Sequence, residues 1–157
     1  MVVVSRDDEV THEIIALADE LVGRTWFHFL ARIAEFNLSV PEAKALQTLE
    51  PDRPLPMREL SAKLHANPSN VTVAVGRLEA RGLVSRQGGD DRRVKSVLLT
   101  SAGVDIRRRL KVRLADDHPA VSGLSSSQRD GLLRLLRRLS QHSSARSPKP
   151  GRAARQD

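Results

Sequence analysis

Apolar residues recur at spacings of three and four over the first part of the chain, a period typical of amphipathic helices. This stripe runs from Val10 to Phe36 and predicts a first helix over residues 7–36. The acidic run at residues 7–9 lies where it stabilises the positive end of a helix dipole. All four aromatic residues of the chain lie in the second half of this helix: Trp26, Phe27, Phe29 and Phe36.

Local capping residues mark where the next helices begin. Ser39-Val40-Pro41-Glu42 is a capping box with a proline in the first turn, so a second helix starts there. Three prolines between positions 51 and 56 end this helix and form a linker. A short third helix follows over residues 57–64. Asn67-Pro68 predicts the N-cap and first residue of a fourth helix, which reaches about Arg81 and is capped by Gly82.

The fourth helix has two unlike faces. Val71, Val75 and Leu78 form a core face at helical spacing. The opposite face is small and mostly uncharged, flanked by Thr72 and Arg77, and consists of Ser69, Val73, Gly76 and Ala80. Glycine costs a helix about 1 kcal/mol relative to alanine. Its presence at position 76 suggests close approach of this helix to another surface.

A hairpin and two further helices complete the pattern. Leu83–Gln87 and Val94–Leu99 read as strands around a turn rich in glycine and charge. Thr100 can cap a fifth helix that reaches about Asp116. A second capping box at residues 125–128 begins a leucine-rich sixth helix. Residues 143–157 lack periodicity and are expected to form a disordered basic tail.

Three helices followed by a hairpin over residues 39–100 predict a winged helix-turn-helix, in a mainly α protein with a small β-hairpin. In that motif the second helix of the pair, here the fourth helix of the chain, enters the major groove of DNA. The basic hairpin tip can reach an adjacent minor groove, where narrow A·T-rich stretches attract arginine.

The charge distribution agrees with a polyanionic partner. Residues 1–52 hold four basic and ten acidic side chains, whereas residues 53–157 hold 22 basic and nine acidic ones. A solvated, arginine-rich surface is the alternative interpretation, and it is the ordinary expectation for the arginines at 107–109 and 137–138. A chain of 157 residues suits a single domain over 1–157. No apolar run reaches the ~18 residues of a membrane span, and Val2–Val4 is too short for a signal peptide, so we expect a cytoplasmic protein.

The composition argues against several classes of site. With no cysteine, the chain has no disulfide, thiolate metal site or thiol nucleophile. With no tyrosine and few other aromatics, binding of single strands by base stacking is not expected. The histidines show no metal-ligand spacing, and no glycine-rich phosphate loop or activated nucleophile is present. We therefore expect no metal, no cofactor and no enzymatic activity.

The sequence resembles the MarR family of bacterial transcription regulators. The resemblance rests on LEARGLV (78–84), DRR (91–93), VLLTSAG (97–103) and the helix-turn-helix stretch MRELSAKLHANPSNVTVAVGRLEARG (57–82). LSSSQRDGLLRLLRRL (124–139) is similar to the closing helix of the family. It implies a homodimer, with residues 7–36 and 101–142 as dimerisation helices around the DNA-binding lobe. The implied function is a ligand-responsive repressor that binds a palindromic operator in double-stranded DNA.

The resemblance also assigns residues to DNA. Arg93 would insert into the minor groove beside Arg92, held and oriented by Asp91. Four residues of the fourth helix lie where the family contacts phosphates and base edges: Ser69, Asn70, Thr72 and Arg77. Many members have a basic residue where this chain has Val73, which could instead pack on a thymine methyl group.

Family members commonly respond to small anionic or phenolic ligands, bound between the dimer helices and the DNA-binding lobe. The second half of the first helix borders that space, so Trp26, His28 and Arg32 are the candidate effector-binding residues. The aromatic cluster may equally be core or dimer packing. An RNA- or ribosome-binding winged helix without a regulatory ligand is the alternative function.

Overall fold

The chain divides into two units, Met1–Ala120 and Val121–Asp157. The computed structural model describes residues 5–88 and 95–146. The elements of the first unit are α1 (Arg6–Ala34), α2 (Val40–Thr48), β1 (Leu55–Pro56), α3 (Met57–Leu64), α4 (Pro68–Ala80), β2 (Val84–Gly88), β3 (Lys95–Leu99) and α5 (Ser101–Ala115). The second unit contains α6 (Ser126–Arg146). This mainly helical fold with a small antiparallel sheet confirms the predicted fold class.

Helix α1 begins with a capping box that the sequence reading had not used. The Asp8 N–H donates to the Ser5 hydroxyl oxygen at 3.2 Å, and the Ser5 N–H donates to the Asp8 carboxylate at 3.1 Å. Because the cap lies at Ser5, the helix starts at Arg6, one residue earlier than predicted. It ends at Ala34, two residues earlier, and Asn37 adopts a left-handed φ of 52° as the chain turns toward α2.

The hydrophobic core lies in the helix-turn-helix lobe. Its fully buried side chains come from α2, α3, α4, β3, α5 and the residue after α2: Leu46, Leu49, Leu60, Val71, Val75, Leu78, Val97 and Leu110. The predicted core face of α4 is therefore confirmed, with Ala74 added to it. The predicted caps are also present, since Asn67 accepts from the Ser69 N–H at 2.9 Å and Gly82 has a left-handed φ of 69°.

The sheet has three strands in the order β1–β3–β2, not the two of the predicted hairpin. The segment read as a proline linker contains β1, whose Leu55 pairs with Val97. Pro56 is tolerated there because an edge strand can spare one N–H. β2 and β3 pair antiparallel from Val84↔Leu99 to Gly88↔Lys95.

A crowded backbone junction fixes the start of α5. The Thr100 hydroxyl donates to the Gly82 carbonyl at 2.6 Å and accepts from the Gly103 N–H at 3.0 Å. Gly103 itself is buried against the Leu83 carbonyl, whose oxygen would lie 1.9 Å from a Cβ at this position. The turn after α4 and the first turn of α5 are thereby held in contact.

In the second unit, α6 starts at the predicted capping box. The Ser125 N–H donates to the Gln128 amide oxygen at 2.9 Å. The helix continues to Arg146, so residues 143–146, expected in a disordered tail, are helical. The remainder of that predicted tail, residues 147–157, lies outside the described residues. Within the described ranges, no helix is both long and apolar enough to cross a bilayer.

Candidate nucleic-acid interface and effector groove

Helix α4 turns one face to the core and leaves the other in solvent. All five residues assigned to DNA on this helix are exposed: Ser69, Asn70, Thr72, Val73 and Arg77. Val73 keeps 56% of its surface exposed although it is apolar. The structure thus brings the predicted set together on one accessible helix surface.

The hydroxyl of Thr72 is already engaged within the helix. It donates to the Pro68 carbonyl oxygen at 2.9 Å. Its oxygen can therefore only accept from a ligand, while its methyl group remains available for apolar contact. Asn70 and Arg77 are exposed beside it and carry the donors of this surface.

The sequence reading missed Arg86, which crosses this surface from β2. Its Nε lies 3.3 Å from the Glu79 carboxylate, and its Nη2 donates to the Thr72 carbonyl at 3.3 Å. A Cβ at Gly76 would lie 3.5 Å from the same Nη2. The group that lies close to Gly76 is therefore a guanidinium of the chain itself, which joins the wing to α4.

The predicted wing residues Asp91, Arg92 and Arg93 lie outside the described residues. The strands on either side of them are described, and Gly88 pairs with Lys95 at the last register position before that segment. Helix α4 and this three-stranded sheet form the helix-turn-helix and the base of the wing.

Residues 38–95 match the model of the MarR family. The chain carries a MarR-family domain. A MarR-family transcriptional regulator from Silicibacter pomeroyi is 27% identical, with a TM-score of 0.62 over 78% of this chain and 84% of that chain. A MarR family protein from Bacillus stearothermophilus has a TM-score of 0.75 at 24% identity, over 89% of this chain and 99% of that one. The apo form of MarR from E. coli has a TM-score of 0.71 at 19% identity, over 79% and 93%. No curated protein matches the sequence.

Beside the MarR-family domain, α1 borders an apolar groove of about 610 Å³. Its lining comes from α1, α2, α5 and the residues just after α5: Leu21, Val22, Thr25, Trp26, His28, Phe29, Lys44, Gln47, Leu114 and His118. The Trp26 and Phe29 rings stack with centroids 5.7 Å apart. The Lys44 ammonium lies 6.0 Å above the Trp26 ring.

Two histidines close one end of the groove. His28 Nε2 lies 3.2 Å from the Leu114 carbonyl oxygen, and His118 Nδ1 accepts from the Ala120 N–H at 3.2 Å. Their rings meet edge to face at 5.1 Å. Each imidazole thus has one nitrogen engaged by the backbone. In the described part of the chain, no three metal-ligating side chains converge on one point.

Of the three predicted effector residues, Trp26 and His28 line the groove but Arg32 does not. The Arg32 guanidinium instead donates to Glu35 at 2.9 Å. Arg113 donates to the same carboxylate at 2.8 and 3.0 Å. The hydrogen bonds from Arg113 and then Arg32 lower the pKa of Glu35 to about 2.

A second link joins the end of α1 to the recognition helix. Arg81, the C-cap of α4, donates to the Asn37 carbonyl at 2.7 Å and to the Phe36 carbonyl at 2.9 Å. These charge-assisted bonds satisfy backbone oxygens that follow the end of α1. Helix α1 is therefore tied to both α5 and α4 within three residues.

Proposed function

We propose that this protein is a dimeric, sequence-specific regulator of transcription that acts in the cytoplasm on double-stranded DNA. The observation that carries the proposal is the accessible face of α4, within a domain of the MarR family. A helix held by its core face, with short polar groups and one exposed valine on the other, fits the major groove. There Val73 would pack on a thymine methyl group, and Arg77 would reach a phosphate or a base edge.

The wing supplies the second contact. Arg93 would enter the minor groove and Arg92 would add positive charge beside it, with Asp91 orienting Arg93. The antiparallel strands on either side of these residues support this assignment, because they place the segment at the end of a hairpin. Arg86 links the same hairpin to α4, so both contacts would approach DNA as one unit.

The dimer supplies the geometry. Two recognition helices about one DNA turn apart, ~34 Å, are needed for a palindromic site, and one chain has a single such helix. Large apolar side chains are exposed along α1 and α6, including Ile14 at 62% and Leu139 at 67%. Exposed apolar stripes of this size favour burial against a second copy.

Regulation would come from an effector in the apolar groove. Trp26 and His28 are two of its walls, and Arg81 and Arg113 tie α1 to the DNA-binding lobe. An effector that prefers the lobe spacing incompatible with the operator would release DNA, which makes the protein a repressor. Switching from 1:99 to 99:1 requires about 5.5 kcal/mol of preference.

The test is binding of fluorescent duplexes selected from random sequence, measured by anisotropy over a range of salt concentrations. Val73→Ala should change the selected bases more than the non-specific affinity. Arg77→Ala should lower the salt slope by about 1, because one phosphate charge is no longer neutralised. Arg24→Ala, an exposed arginine on α1, is the matched control and should leave the slope unchanged.

Selection of no preferred duplex would contradict the proposal. Equal or tighter binding of single- or double-stranded RNA would favour the RNA-binding winged helix instead. Loss of folding in Val73→Ala, followed by circular dichroism, would contradict the placement of Val73 on the solvent face.

A further inference from the structure

Helix α5 carries five basic residues that fall into two groups. Three are ion-paired: Arg108 and Arg109 with Asp105, at 2.6 and 3.8 Å, and Arg113 with Glu35, at 2.8 Å. Arg107 and Lys111 have no acidic partner within 4.0 Å among the residues that the structure describes. One helix thus holds both neutralised cations and two that lack a counter-charge.

Arg107 and Lys111 are four residues apart and share one face of the helix. They line a recess of about 380 Å³ together with Gln47, Leu114 and Ala115. The Nε of Arg107 is buried and donates to no acceptor within the described ranges. A buried guanidinium N–H without an acceptor is costly, as are two like charges on one helix face. An anion between the two side chains removes both costs.

This recess adjoins the apolar groove. Gln47 and Leu114 line both of them, so cationic and apolar surfaces meet along one wall. Lys44 is the cation that lines the groove itself, but it is exposed and already lies over the Trp26 ring. The half-buried Arg107 is therefore better placed to hold a desolvated charge.

We propose that the joined groove and recess bind an amphiphilic carboxylic acid, such as a medium-chain fatty acid. Its carboxylate lies between Arg107 and Lys111 and accepts a hydrogen bond from the Gln47 amide. Its apolar chain passes Leu114 and lies against Phe29 and Trp26. The binding site stands on the geometry of α1, α2 and α5, whereas its role as the effector site rests on the proposed regulatory function.

The test titrates the full-length protein with decanoate, below its micelle concentration, by calorimetry and Trp26 emission. Decanol has the same chain without the charge, and acetate has the charge without the chain. Decanoate should bind and change Trp26 emission, decanol should bind at least about tenfold more weakly, and acetate should leave the emission unchanged.

Arg107→Gln and Lys111→Gln should each weaken decanoate binding by about tenfold and leave decanol binding unchanged. Arg108→Gln removes a charge that Asp105 already neutralises, so this matched control should bind decanoate like the wild type. Neither Arg107 nor Lys111 has an ion-pair partner to lose, so unfolding midpoints should stay close to the wild-type value.

The proposal is overturned if decanoate does not bind, if the three arginine and lysine variants are equally affected, or if Lys44→Gln alone weakens binding. DNA binding separates this site from the regulatory function. A protein that binds operator DNA but not decanoate overturns the site alone. A protein that binds decanoate but no DNA overturns the regulator and leaves the site.

Discussion

Gly103 shows how little room one residue can have. Its hydrogen occupies the direction in which any Cβ would meet the Leu83 carbonyl oxygen at 1.9 Å. That carbonyl also accepts from the Thr100 N–H, so it cannot move away without losing a bond. The glycine of the VLLTSAG stretch is thus explained by contact with the turn after α4.

We predict that Gly103→Ala lowers the free energy of unfolding by about 2 kcal/mol or more, because backbone must shift to admit the methyl group. Urea unfolding measures this change. Gly23→Ala on α1 is the control, since a Cβ there has no neighbour within 4 Å and alanine favours the helix. A similar loss in both variants would contradict the crowding at Gly103.

Glu35 gives the protein an acid-side pH dependence. Hydrogen bonds from Arg113 and Arg32 lower its pKa from 4.5 to about 2 in the folded chain. The depressed value means that its stabilising contribution is present above pH 4.5 and is lost as the pH falls toward 2. The pair is partly exposed, so salt should reduce the contribution.

Glu35→Gln should therefore lower the urea midpoint at neutral pH, and its difference from the wild type should shrink between pH 4.5 and 2. Glu50→Gln is the control, because Glu50 pairs only with Arg53 on an exposed turn. A Glu35→Gln difference that stays constant over this range would show that the network does not act through the carboxylate charge.

At the scale of elements, the junction between α1 and α4 depends on Arg81. We predict that Arg81→Gln raises the Kd for operator DNA while the salt slope stays at the wild-type value. The reason is that Arg81 holds the angle of α4 through the Phe36 and Asn37 carbonyls, so it is a positioning residue. A direct phosphate contact would instead lower the slope by about 1.

Anisotropy titrations at several salt concentrations separate the two roles, and Arg81→Lys should recover part of the affinity because one donor can still reach a carbonyl. A slope that falls by about 1 in Arg81→Gln would identify Arg81 as a DNA contact. An affinity equal to that of the wild type would show that the junction does not position α4.

The elements that sequence could predict are those whose signals are local. Helices α2 and α4 begin where Ser39 and Asn67 cap them, and both caps act within three residues. Strand β1 has two residues and exists through its pairing with Val97, about forty positions along the chain, so no local pattern marks it.

The candidate site divides in the same way. The exposed face of α4 follows from helical period alone, and its residues were predicted as a set. Arg86 and Arg81 donate to backbone carbonyls 14 to 45 positions away, which sequence spacing does not reveal. Arg32 was assigned to an effector because its own-helix partner, Glu35, was not weighed against that role.

For the whole molecule, the exposed leucines of α6 set the assembly. We predict that Leu139→Glu converts the proposed dimer to a monomer, because a charge would replace an apolar side chain on the associating face. Light scattering measures the mass, and operator affinity should fall with it. Arg129→Glu, an exposed polar position on the same helix, should remain dimeric. A dimeric Leu139→Glu protein would place the interface elsewhere.

The exposed first half of α1 has a consequence for the life of the protein in the cell. Every side chain from Arg6 to Glu20 is exposed in the single chain, so no contact within that chain holds this stretch in helical form. An unsupported helix of this length is marginal in water. Subunits without a partner would open here and present a cleavable segment to proteases, whereas paired subunits would be protected. Turnover would then remove unpaired chains first, and the abundance of the protein would follow its own association.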